Sequence, residues 1–291
     1  MAEEFAFGVI GGSGLYAFDG LQNTRRIEVE TPYGQPSSPI VIGEMAGKQV
    51  AFLARHGLGH TLSPSEVNYR ANIYAMKQLG VTRLISVSAC GSLREDYAPG
   101  EIVIPDQVFD FTHKRERSFF SGGLVVHVSA AEPFCAKLNR RLQSALALTE
   151  AKVHMGGTYI TIEGPRFSTK GESNTYRGWG MSIIGMTSSP EVFLAREAEI
   201  CYATMAHVTD YDCWHVSKEP VTVEMVIQTL MKNTVIAQQA LAHLAESIDE
   251  PIEGSDCACE NGLKDAIITD PKAVSPELRE RYRFLIQKYL E

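Results

Sequence analysis

The chain has 291 residues, 35 acidic against 27 basic side chains, and a formal net charge of −8. That length allows one large α/β domain or two small ones around a sizeable core. The negative balance argues against a surface for nucleic acid or an anionic membrane, so an anionic substrate would need a local cationic pocket.

Residues 1–7 lack the basic start of a signal peptide, and no apolar run reaches the ~18–20 residues of a membrane span. A cytoplasmic protein is expected. Residues 5–10 form a first strand running into Gly11-Gly12-Ser13-Gly14. A second short strand, 50–54, leads to Arg55-His56-Gly57. Residues 65–79 repeat apolar positions at helical spacing and stop at Gly80. The run 83–89 is a buried strand broken by Cys90-Gly91-Ser92. A strand over 102–105, a helix over 133–148, a mostly extended 154–163 and a helix over 171–179 follow. Strand 182–186, helix 190–198 and strand 200–208 come next, and then the longest helical pattern, 221–248. Residues 249–275 read as linker and 276–290 as a terminal helix with an apolar stripe at Leu278, Tyr282, Leu285, Ile286 and Tyr289. The alternation predicts one α/β domain, residues 1–250, around a twisted mixed sheet, with 251–291 as an extension.

Thr209-Asp210-Tyr211-Asp212 places two carboxylates behind the strand 200–208. On an extended strand residues 210 and 212 share a face at the C-terminal end, where α/β sheets bind ligands. Two acids there can accept N–H groups of a neutral heterocycle such as an aminopurine; a solvated turn is the plainer reading. Gly12-Ser13-Gly14-Leu15-Tyr16-Ala17 matches a dinucleotide fingerprint, but Asp19-Gly20 cuts off the helix it requires. The loop then suits a single phosphate. The guanidinium fork of Arg55, beside His56, matches phosphate oxygens. Ser88-Ala89 and Thr187 end two further strands with hydroxyls or small residues. Phe167 and Met186 could flank a flat ring or ribose. No metal is expected: His56 and His60 stand four apart, but in a glycine loop and not on a helix, and no H-E-x-x-H motif is present. Of six cysteines, Cys90, Cys135, Cys201 and Cys213 sit singly, as small core residues do, while Cys257-Ala258-Cys259 is either a redox pair or a surface accident. No G-x-S-x-G elbow supports a serine hydrolase.

Together, GVIGGSGLY, LARHGLGHTLSPSEVNYRANI, SACGSLREDYAPGEIVIPDQ, TIEGPRFST, GMTSSPE and ATMAHVTDYDCW resemble the trimeric purine nucleoside phosphorylases, from Gly8 to about Ile248. The resemblance implies the nucleoside phosphorylase fold, partly barrel-like, and a phosphorolysis with inorganic phosphate as co-substrate and no cofactor. It implies a phosphate site at Ser13, Arg55, His56, Ser88, Ala89 and Thr187. It places Met186 at the ribose, Phe167 and Ser168 at the base, and Asp210 and Asp212 as base-recognising acids. Asp210 would be the general acid, its pKa raised by burial and by Asp212. Relatives that act on 6-oxopurines carry Glu and Asn where this chain has Ser168 and Asp210, so the resemblance favours the branch acting on S-methyl-5′-thioadenosine. Val223, Val226 and Ile227 would form an apolar 5′ pocket, with His60 at its rim and His127 donated by a neighbouring subunit. A homo-oligomer is thus implied, a trimer or a dimer of trimers, with the terminal helix expected at a subunit interface or joining two trimers.

Overall fold

The apolar runs become the middle of a mixed sheet, eleven-stranded among the described residues. The computed structural model describes residues 4–12, 15, 20–215, 223–251 and 257–290, apart from the side chains of 225–228, 230 and 232. Its hub is β5 (Arg83–Ser92). Along one edge β5 pairs in parallel with β11 (Cys201–Asp210) over nearly its whole length. Along the other it pairs with β1 (Phe5–Gly11) only from Leu84 to Ser86, and β10 (Ile183–Gly185) takes over, antiparallel, at Gly91 and Ser92. The sheet therefore splits beside residues 87–90. A split of this kind is where open α/β sheets leave a crevice for ligands.

From β1 the sheet continues through β4 (Lys48–Ala54), β3 (Ile40–Met45) and β2 (Gln22–Ile27). From β10 it continues through β9 (Thr158–Ile162) to β7 (Gln107–Phe111). β11 also carries β6 (Ile102–Ile104), which pairs with β8 (Val153–Met155). Strand alternation sends side chains to two apolar layers. Ile10, Ala51, Leu53 and Leu84 face α1 (Tyr69–Gln78) and α4 (Ser188–Glu197), whereas Val9, Val50, Phe52, Ile85 and Met205 face α2 (Ala136–Leu146) and α5 (Val223–Ser247). Each of these side chains larger than alanine, fully buried, contributes about 1.5–3 kcal/mol.

Local chemistry fixes the helix ends. The Asn68 side chain accepts the Ala71 N–H at 3.2 Å to start α1, and Gly80 at φ +90° turns the chain away after it. Thr169 and Glu172 form a reciprocal capping box on α3 (Lys170–Gly178). No helix among the described residues is long and apolar enough to cross a membrane.

Three expectations change. The extended stretch 154–163 is two strands, because Gly156 and Gly157 take φ of +83° and +103° between them. The terminal helix breaks at Tyr282 into α6 (Pro276–Arg281) and α7 (Arg283–Ile286), and its apolar stripe finds burial on its own chain. Tyr282, Leu285 and Ile286 pack into the layer that holds Tyr74 and Phe119, and the Tyr282 hydroxyl donates to Ser121 O at 3.0 Å. The stripe therefore needs no partner subunit to cover it. Cys135 and Cys201 do not sit singly either; both lie against Cys257 and Cys259.

Candidate active site

Asp210 and Asp212 come together by a bend, not by strand alternation. A register shift between Val208 and Asp210 ends β11, and Asp212, at φ +51°, opens a short turn (Asp212–Trp214). The Asp212 N–H donates to Asp210 Oδ1 at 2.7 Å, and the Thr209 hydroxyl donates to Asp210 Oδ2 at 2.7 Å. Ser173 Oγ donates to Asp212 Oδ2 at 2.5 Å. Burial holds the Asp210 carboxyl above the usual carboxylate range and the Asp212 charge adds to it; burial raises Asp212 as well. Gly91 makes room for the pair: a Cβ there would lie 3.1 Å from Asp210 Oδ1 and 3.2 Å from Asp212 Cβ.

At the split in the sheet lie hydroxyls that lack a well-formed partner among the described residues. Ser88 Oγ and Tyr159 Oη are buried without a well-formed hydrogen bond, and the Tyr159 hydroxyl stands beside Ser88 and Thr187. Burial pushes Tyr159 up to about 12. Thr187 is buried ahead of α4, and its hydroxyl does not cap that helix. The backbone of Ser189 is extended (φ −99°, ψ 137°), so regular turns begin at Pro190, and Ser189 Oγ is also unpartnered. Orphaned hydroxyls next to a helix N-terminus form a pocket suited to an anion. Ala89 follows Ser88 on β5, half-buried and paired with His207.

Arg55 departs from expectation. Its fork does not face an open cleft; Nε and Nη2 donate to Glu191 at 2.8 and 2.9 Å in a fully buried pair. Nη2 also meets Ser86 Oγ and Ile10 O, and Nη1 donates to Val87 O. One Nη1 hydrogen is left over among the described residues, enough for a single contact but not for a bidentate clamp. The Glu191 charge outweighs burial and keeps the guanidinium firmly protonated. His56 is held near pKa 4 by burial and by Arg55. Its Nδ1 lies 2.9 Å from Leu62 O, which can only accept, so Nδ1 carries the proton and the neutral ring presents Nε2 as an acceptor. His60 stacks on it with ring centroids 4.4 Å apart.

Met186 lies against Gly164, where φ is +67° and a Cβ would fall 2.5 Å from Met186 Sδ; only glycine permits both features. Phe167 is 47% exposed on the following loop, a ring surface with no cover of its own. Ser168 Oγ is buried without a partner among the described residues, while its carbonyl accepts the Cys213 thiol. Val223 is exposed at the start of α5. Ser13 and the side chains of Val226 and Ile227 lie outside the described residues. His127 is exposed and bonded through its N–H to Ala266 O, and no contact among the described residues joins it to the acid pair.

Two residues that hold the site escaped the sequence reading. Glu191 is fully buried between Arg55 and Tyr202, whose hydroxyl donates to it at 2.8 Å. Arg115 donates to Met186 O at 2.7 Å, Ser189 O at 2.6 Å and Glu163 O at 2.8 Å, tying three loops of the site together. Its partner Glu163 also accepts the N–H groups of His113 and Lys114, and these bonds bring its pKa down to about 2 against the opposing effect of burial. A buried Ser-Pro-Glu helix start was the one local signal for Glu191; Arg115 carries none.

Known proteins are similar to this chain over nearly its whole length. Residues 6–248 match the phosphorylase superfamily. The S-methyl-5'-thioadenosine phosphorylase of Geobacter sulfurreducens is 51% identical over 288 residues, covering 99% of this chain and all of the relative. The crystal structure of a methylthioadenosine phosphorylase from an antarctic soil metagenomic library superposes with a TM-score of 0.92 at 46% identity, over 98% of this chain and 100% of that one. A variant of the adenosine/methylthioadenosine phosphorylase of Schistosoma mansoni, in complex with methylthioadenosine, matches at 37% identity with a TM-score of 0.76, over 86% of this chain and 93% of that one.

Proposed function

The chain belongs to the phosphorylase superfamily, and we propose that it cleaves S-methyl-5′-thioadenosine with inorganic phosphate, releasing adenine and 5-methylthioribose 1-phosphate. The observation that carries the reading is the buried acid pair Asp210–Asp212 set beside a pocket of unpartnered hydroxyls. Relatives similar over the full length act on this nucleoside by name, which supports the same substrate here.

In this reading phosphate rests among Ser13, Ser88, Ala89 and Thr187, near the N-terminus of α4, with His56 Nε2 accepting the one hydroxyl that HPO₄²⁻ retains. Arg55, neutralised by Glu191, supplies one N–H and holds the floor of the pocket. Breaking C1′–N9 builds positive charge on the ribose, which the phosphate dianion stabilises, and negative charge on the purine. Asp210, whose pKa burial raises, acts as the general acid toward N7 of the leaving base. Asp212, fixed by Ser173, accepts from the exocyclic amino group, and Ser168 has a free hydroxyl for the same ring. Phe167 covers the base and Met186 the ribose. Val223, Val226 and Ile227 take the methylthio group, worth roughly 1–2 kcal/mol when buried. The exposure of Phe167, Val223 and His127 fits a site completed by a neighbouring subunit, with His60 at the rim, and so a trimer as the smallest active unit.

The test is an ultraviolet assay of methylthioadenosine, methylthioinosine, adenosine and inosine, each with and without phosphate. Methylthioadenosine should give the highest kcat/KM and no turnover without phosphate. Preference for inosine would overturn the base assignment, and turnover without phosphate would make the enzyme a hydrolase.

A further inference from the structure

We propose that Cys135, Cys201, Cys257 and Cys259 form a binding site for one thiophilic divalent ion, zinc by the fit of its chemistry. Three distant segments supply the sulfurs. Cys135 is the cap residue of α2, Cys201 opens β11, and Cys257 and Cys259 lie in the C-terminal segment. Their four Sγ atoms all lie within 4.8 Å of one another, with Cys201–Cys257 at 3.3 Å and Cys135–Cys257 at 3.4 Å. A tetrahedral tetrathiolate with metal–sulfur bonds of ~2.3 Å spaces its sulfurs about 3.8 Å apart, inside that range. A disulfide requires one pair at ~2.05 Å and makes no demand that a second pair converge on the same point.

The surroundings suit thiolates. The Leu138 N–H, at the first turn of α2, points to Cys135 Sγ at 3.5 Å, and the Cys259 N–H to Cys257 Sγ at 3.4 Å. Arg196 Nη1 stands 3.4 Å from Cys259 Sγ. N–H···S bonds and a nearby cation steady the negative charge that four thiolates carry around a divalent ion. Binding follows M²⁺ + 4 Cys-SH → M(Cys-S)₄²⁻ + 4 H⁺, with no oxidant or reductant. Cys135 and Cys259 are buried while Cys201 and Cys257 are partly open, which gives the ion a way in.

Four protein ligands leave no open position, so the site is structural and not catalytic. Cys201 begins β11 and Asp210 ends it, about 30 Å along an extended strand. The ion clamps the C-terminal segment to the first residue of the strand that carries the catalytic acid. This departs from the expectation of no metal, which rested on the lack of any local ligand spacing.

The experiment uses the full chain with all thiols reduced. Stoichiometric zinc is added, free ion is removed, and the metal is counted by mass spectrometry; cobalt(II) in place of zinc reports the geometry by absorption. The expected result is about one ion per chain and the visible bands of tetrahedral cobalt–thiolate coordination. The Cys257→Ser/Cys259→Ser double variant should hold less than about a tenth of an ion and, unlike the parent, show no fall in Tm on adding a chelator. Both metal readings on the parent chain stand even if the variant folds poorly. A reduced parent chain that retains no zinc and gives no cobalt spectrum overturns the proposal, as does a chain that oxidises to two disulfides and still binds nothing once reduced again.

Discussion

Glu191→Gln isolates the buried charge beneath the proposed phosphate pocket. The parent side chain is fully enclosed and receives Arg55 Nε at 2.8 Å, Arg55 Nη2 at 2.9 Å and the Tyr202 hydroxyl at 2.8 Å. Glutamine keeps the volume but loses the charge, and its amide nitrogen faces a donor where an oxygen stood. Arg55 remains protonated among carbonyls and a serine, with no counter-ion. Breaking a buried pair from one side costs about 3–5 kcal/mol, most of it the uncompensated charge. Taking the ~2–4 °C per kcal/mol of somewhat smaller chains, Tm should fall by roughly 10 °C. Phosphate should then stabilise the variant more than the parent, because the dianion meets a bare cation instead of a neutral pair. At 100-fold excess over its Kd, a ligand adds about 2.7 kcal/mol. Thermal scans of both proteins with and without phosphate, with a non-binding salt of equal ionic strength as control, provide the readout. A variant within 2 °C of the parent would refute the energetic reasoning. A large loss with no extra phosphate rescue would place Arg55 away from the anion.

Other perturbations bear on separate parts of the account. Asp210→Asn should lower kcat by about 10²–10⁴-fold; in the parent, activity should decline as pH rises through the Asp210 pKa, which burial raises, and a variant with full activity would remove the proton-donor role. Gly164→Ala forces a Cβ onto Met186 Sδ at φ +67°, so KM for the nucleoside should rise several-fold with a stability loss of about 1–3 kcal/mol; an unchanged KM would detach Met186 from the ribose. His56 and His207 are both held near pKa 4, so their share of stability is full above pH 6.5 and is lost as pH falls towards 4, about 3 kcal/mol each. His207, whose ring nitrogens have no partner among the described residues, can be replaced by leucine; His207→Leu should flatten the loss between pH 7 and 4 in denaturant titrations, and an unchanged slope would contradict a buried neutral ring.

The strands with unbroken apolar runs were legible because burial on both faces writes itself into local sequence: β1, β4, β5 and β11 lie where 5–10, 50–54, 83–89 and 200–208 placed them, within a few residues. β2, reading QNTRRI with five exposed residues, offers no such run and exists because β3 pairs with it. The acids at 210 and 212 were visible as a pair. Their geometry was not, because a register shift and one positive φ, not strand periodicity, bring them together. The Arg55–Glu191 pair spans 136 residues and the Cys135–Cys257 contact 122, distances over which spacing carries no signal. Motif resemblance reached the nucleoside side of the site because those residues cluster in short segments. It could not show that Arg55 is already spent on a carboxylate.

The central claim is that phosphate, not water, receives the pentose, and phosphorus NMR on the full chain with methylthioadenosine and inorganic phosphate tests it most directly. The account predicts one new sugar-phosphate resonance for each adenine released, with inorganic phosphate falling in step. Adenine released while the inorganic phosphate signal stays constant would contradict it.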